Sequence, residues 1–172
     1  MRSARVWKRL LGVEHTVIEQ VLFDEDAHAV VACVGPTRSR RRRCPVCNRR
    51  CPGYDQGEGR RRWRALDLGV IQAFLEADAP RVACSQHGVV VAGVPWARPG
   101  AGFTRGFEDT AAWLAVHTSR SAVAELLRIA WRTVGRVCAR VAAEQATTVD
   151  RLAGLRRIGI DEVSYKKGHR YL

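Results

Sequence analysis

Cys44-Pro-Val-Cys47 and, after 36 intervening residues, Cys84-Ser-Gln-His87 offer three thiols and one imidazole from two tight knuckles. Soft sulfur ligands with one imidazole, four in all, are the donor set of a tetrahedral structural zinc ion. The spacing therefore predicts a zinc site made of Cys44, Cys47, Cys84 and His87. Cys51, four residues past the first knuckle, competes with His87 for the fourth place. Four protein ligands leave no position open for water, so the ion is expected to be a staple rather than a catalyst. A zinc-deaminase signature is also missing, because the proline lies inside the first knuckle and no His-x-Glu precedes it. Cys33 and Cys138 fall in apolar patterns and read as small core residues.

The first knuckle sits in a run of arginine. Residues 37–64 hold eleven arginines against Asp55 and Glu58, a surplus of nine (11 − 2), out of a net charge of +12 for all 172 residues. Arg40, Arg41, Arg42 and Arg43 directly precede Cys44. Charge gathered in this way is the electrostatic footprint of a polyanion binder. A merely solvated arginine surface would not concentrate around one knuckle, even though arginine outnumbers lysine 26 to 3 throughout the chain.

A second constellation lies on a helix that the periodicity predicts over 131–144. Val134, Val137, Cys138 and Val141 recur at helical spacing and define a core face. Arg132, Arg136 and Arg140 fall on the opposite face, with Thr133 beside them. A basic stripe of this kind suits a recognition helix in the major groove, where arginine forks meet guanine edges or phosphates. Trp131 reads as a packing residue.

Several elements must position these groups. Residues 1–12 suggest a short helix or arm, and residues 15–24 and 28–34 a β-hairpin; together they make an N-terminal piece, 1–36. Residues 37–91 read as a zinc-ribbon-like module, in which Ile71, Ala73, Leu75 and Ala77 alternate with polar residues as the buried face of a strand. The Pro/Gly-rich stretch 92–102 reads as a linker. Beyond it, helices over 108–117 and 119–128, the second capped by Thr118 or Ser119, lead into the helix over 131–144, with about three residues between the last two. That is helix-turn-helix spacing, and it sets a module at 103–146. In the remainder, 147–172, a strand starts at Ile158 and Lys166-Lys-Gly168 marks a hairpin turn. The fold class expected is α+β. No repeat, secretion signal or membrane-spanning apolar run is visible in a chain 47% hydrophobic and 27% charged.

The motifs follow a recognisable order: Cys44-Pro-x-Cys47, Arg62-Trp-Arg-Ala-Leu-Asp67, Arg81-Val-x-Cys-x-x-His87, Pro95-Trp-Ala97, Phe103-Thr-x-x-Phe107-Glu108, the helix-turn-helix, and Ile158-Gly-Ile-Asp-Glu-x-Ser-x-Lys-Lys-Gly-His-Arg-Tyr171. From about Arg43 to Leu172 the chain resembles the N-terminal part of an insertion-sequence transposase of the ISL-three type. The resemblance implies a zinc module and a helix-turn-helix that bind the terminal inverted repeats of duplex DNA. It implies next the first hairpin of an RNase H-like domain, whose three carboxylates hold Mg²⁺ for phosphoryl transfer. Asp161 matches the first of those carboxylates. No Asp or Glu follows Glu162, so the triad is incomplete, the chain is expected to be truncated and inactive alone, and Mg²⁺ has no place without a complete catalytic domain. A second copy or a full-length transposase is the protein partner implied, in the bacterial cytoplasm at the nucleoid. The same modules would also serve an independent transcriptional regulator.

Overall fold

The run Ala29–Pro36 is apolar at almost every position, a pattern that suits a strand covered on both faces. It forms β2, buried at seven of its eight residues, inside a four-stranded sheet. A computed structural model describes residues 2–148, 153–157, 159, 164–166 and 170–171. β1 (Thr16–Asp24) pairs antiparallel with β2, through a turn in which the Asp24 carboxylate accepts the Ala27 N–H at 3.1 Å. On the other side β5 (Gln72–Asp78) runs parallel to β2, and β4 (Arg60–Arg64) closes the sheet antiparallel to β5. A parallel pair needs a long crossover. Here that crossover, residues 37–71, carries the first knuckle.

α1 (Arg2–Leu10) ends at Gly12, whose φ of 61° turns the chain so that Leu11 and Val13 pack under the sheet. The alternation expected along β5 is present: Ala73, Leu75 and Ala77 are buried, with Ile71 just before the strand. Ala73, Leu75 and Ala77 pack with Trp63 and Trp96, whereas Ile71 is only half-buried. A separate three-stranded sheet, β3 (Gly53–Asp55), β6 (Arg81–Cys84) and β7 (Gly88–Val91), carries the second knuckle in its β6–β7 turn.

Two expectations are corrected here. Residues 37–91 do not form one ribbon, because β4 and β5 join the N-terminal hairpin in a single sheet. The apolar faces of Trp63 and Leu75 need a broad partner, and a three-stranded ribbon offers none. The stretch 92–102 is not a free linker. Trp96, Ala97 and Ala101 are buried, and Trp96 meets Trp63 edge to face at 5.5 Å.

The helical pattern holds, with small changes at the ends. α2 spans Arg105–His117, its Thr104 side chain accepting the Phe107 N–H. α3 (Arg120–Leu126) is capped by Ser119, whereas Thr118 closes α2. α4 runs Trp131–Thr148. Val123, Val134 and Val137 are fully buried, Phe107 and Ala111 nearly or fully so, and Val141 joins them. The turn before α4 places Arg128 at a φ of 53°, where glycine is usual. Its guanidinium donates to the carboxylate of Asp67 and to the Val70 carbonyl, which ties the turn to the sheet.

The chain divides into two units, Met1–Val141 and Ala142–Leu172. In the second, β8 (Ser164–Lys166) pairs antiparallel with β9 (Arg170–Tyr171), where the sequence suggests a hairpin. Asp161 and Glu162 lie outside the described residues.

Candidate metal centre and nucleic-acid interface

Each knuckle turns back through a residue in the left-handed region. Asn48, after the first ligand pair, has a φ of 57°, and its N–H donates to the Cys44 carbonyl at 3.0 Å. Gly88, after the second, has a φ of 69°. Gly and Asn enter this region most readily, so the sequence supplies a permissive residue at both turns.

The four ligand atoms of Cys44, Cys47, Cys84 and His87 lie within 4.8 Å of one another. His87 Nδ1 is 3.6 Å from Cys44 Sγ and 3.5 Å from Cys84 Sγ, and Cys47 Sγ is 3.7 Å from Cys84 Sγ. A tetrahedron with Zn–S of about 2.3 Å and Zn–N of about 2.0 Å has S···S edges of about 3.8 Å and S···N edges of about 3.5 Å. These three separations match the edge lengths of a zinc site. Cys51 does not enter it. Its Sγ donates to the Arg49 carbonyl at 3.4 Å, and burial pushes its thiol up.

One of the thiols is already lowered toward the thiolate. Backbone N–H groups around Gln86, with the His87 ring, bring Cys84 down to about 6. At Cys47 a backbone hydrogen bond at Arg49 favours the thiolate, but burial and the thiols of Cys44 and Cys84 outweigh it and raise the group. Crowded thiolates repel one another, and a bound dication relieves that repulsion.

The arginine run divides into struts and free ends. Arg43 is a strut: its Nε donates to the Ser39 carbonyl at 3.0 Å and its Nη1 to the Asn48 carbonyl at 2.7 Å, bracing the first knuckle. Arg41 donates to the Pro36 carbonyl yet stays exposed, as does Arg42, and Arg40 lies 3.5 Å from His15 Nε2.

On α4 the basic stripe is shorter than its pattern suggests. Arg132 and Arg136 are exposed, Thr133 is half-buried, and Arg136 Nη2 lies 3.5 Å from Thr133 Oγ1. Arg140 departs from them. Its Nε and Nη2 donate to Glu108 Oε1 at 2.9 and 2.6 Å. Glu108 is fully buried, and a buried carboxylate without a cation costs several kcal/mol, so Arg140 is drawn inward. Trp131 is also not a core residue: it is half-exposed, with the Arg120 guanidinium 4.9 Å above its ring.

Sequence reasoning missed two ionic joints. In one, Arg98 reaches Glu108 at 3.4 Å and Asp109 at 2.6 Å, opposite Arg140. In the other, Asp67 accepts from Arg64 at 2.7 Å and from Arg128. Burial pushes the Asp67 carboxyl up, but the Arg128 and Arg64 guanidiniums outweigh this and hold it below the usual range. The available signal was Glu108 itself, an acid beside Phe107 on the apolar face of α2.

Residues 40–87 match the zinc-finger of transposase IS204/IS1001/IS1096/IS1165, and residues 94–142 match the helix-turn-helix domain of transposase family ISL3. The chain thus carries the zinc-finger and helix-turn-helix modules of ISL3-family transposases. Over its whole length it is 54% identical to the transposase for insertion sequence element IS1557 in two strains of Mycobacterium tuberculosis, and it spans 40% of the length of those relatives. No solved structure matches it. No helix among the described residues is long and apolar enough to cross a membrane.

Proposed function

We propose that this chain is the DNA-binding portion of a transposase and grips the terminal inverted repeats of its insertion sequence. The observation that carries this is the exposed pair Arg132 and Arg136 opening α4, with Thr133 half-buried between them, within a helix-turn-helix matched to the ISL3 family. Helix-turn-helix proteins read base edges with the first turns of the second helix. The arginines beside the first knuckle add attraction to phosphates, independent of sequence. Zinc, held by Cys44, Cys47, Cys84 and His87, fixes the knuckle beside which those arginines lie. A second copy or a full-length transposase is the protein partner that fits.

A gel-shift against element-end duplex tests this. Arg136→Ala is expected to lose about 1–3 kcal/mol of specific binding and little binding to random duplex. No preference of the unaltered chain for element ends over random duplex would refute the proposal.

In this reading these 172 residues carry one part of a catalytic triad. Asp161 is the one carboxylate that matches the family's triad, and a two-metal phosphoryl-transfer site needs more than one. Incubation with element-end duplex and Mg²⁺ is expected to yield no cleavage. Cleavage that disappears in Asp161→Ala would overturn this.

A further inference from the structure

A cleft of about 610 Å³ opens beside the zinc site, between the first knuckle and the segment 91–100. Its lining carries His15, Arg40, Arg43, Arg61, Arg98 and Arg105, and no carboxylate among the described residues lines it. Apolar lining comes from Trp63, Pro45, Pro95 and Ala97. The lining draws on both matched regions, 40–87 and 94–142, so the cleft lies at their seam.

Three of these arginines carry charge that the fold leaves unneutralised. Among the described residues, Arg40, Arg43 and Arg61 form no ion pair with a carboxylate. Arg43 and Arg61 are instead held by main-chain carbonyls, Arg61 donating from Nη2 to Ala101 O at 2.8 Å while its guanidinium lies over the Trp63 ring at 5.4 Å. A guanidinium has five donors, so each keeps some for a ligand. Carbonyl anchoring also fixes the fork in advance, which lowers the ordering cost of binding an anion. A concave, low-dielectric wall of one sign focuses the field on whatever occupies it. By contrast, Arg98 is compensated by Glu108 and Asp109.

We propose that this cleft seats the sugar-phosphate backbone of one DNA strand, as a contact separate from α4. Its volume is that of a small-ligand pocket, which admits the ridge of one strand and not a whole duplex. Phosphates meet the arginines, and the apolar lining lies against the sugars. The proposal rests on the reading of the chain as a DNA binder.

The test uses the zinc-loaded chain and random duplex, so it does not depend on recognition of element ends. Arg40→Gln/Arg61→Gln, with zinc content and melting temperature confirmed, is expected to flatten the slope of log Kd against log salt by about two. An unchanged slope in that folded variant overturns the proposal, even if element-end preference persists. In the unaltered chain, the Arg61 Nε–Hε resonance is expected to shift on adding a duplex dodecamer. The same shift with inorganic phosphate, at equal phosphate concentration, would mean an adventitious ion only and would overturn it equally.

Discussion

Removing zinc is expected to dissolve the β3–β6–β7 sheet while the rest of unit 1 stays folded. The cause lies in what that sheet has for a core. Its buried residues are Cys44, Cys51, Val82 and Cys84, so three of the four are cysteines. With so little apolar area, burial alone cannot offset the entropy of ordering the strands. Zinc in finger peptides contributes about 10–16 kcal/mol of apparent binding free energy, which is ample to do so. The larger sheet and the helices have clusters of their own, around Leu75 with Trp96 and around Phe107 with Val137. Chelation, or Cys47→Ser, should therefore abolish amide protection along Arg81–Val91 yet preserve most of the helical circular dichroism at 222 nm. Cys51→Ser should leave one zinc per chain, because its sulfur lies outside the cluster. Parallel loss of helical and strand signals would contradict this division. A fall in zinc content with Cys51→Ser would show that the fourth ligand is misassigned.

The second large effect concerns Glu108. Glu108→Ala is expected to cost about 3–5 kcal/mol, because it leaves Arg98 and Arg140 facing each other across a buried gap without their shared carboxylate. For a domain of this size that lowers the melting temperature by ~10 °C. Arg140→Ala should also destabilise, and its effect on DNA affinity should follow the loss of fold rather than the loss of a contact. Arg136→Ala should do the reverse, weakening specific binding at unchanged melting temperature. The triple change of Arg98→Met, Glu108→Leu and Arg140→Met should recover much of the stability, as apolar replacements of buried ionic triads often do. If Glu108→Ala melts like the unaltered chain, the carboxylate is not the joint described here.

What the sequence disclosed, and what it hid, follows from the range of the interactions. The Cys44–Cys47–Cys84–His87 cluster was legible because knuckle spacing is local: two residues of loop within each pair, and Asn48 or Gly88 to turn the chain afterwards. The three helices were legible because their period is local, and Ser119 announces a cap. The parallel pairing of β2 with β5 was not, since it joins residues about 43 apart (Ala29 with Gln72) and nothing in either strand names the other. The burial of 92–102 was hidden by its proline and glycine content, which signals turns but says nothing about what Trp96 packs against. Arg140 was misplaced for a related reason. Its position on the helical wheel is right for the basic stripe, but a guanidinium reaches far enough to follow a buried carboxylate on another helix.

A zinc-fixed sheet and the opening turns of α4 are expected to grip duplex DNA together. Fluorescence anisotropy of labelled element-end and shuffled duplexes, titrated at 150 mM salt with the chain zinc-loaded and then chelated, tests that most directly. The expected result is preferential binding of the element-end duplex by the zinc-loaded chain, with both affinities falling on chelation and rising again when zinc is restored. Equal binding of the two duplexes, or affinities indifferent to zinc, would contradict it.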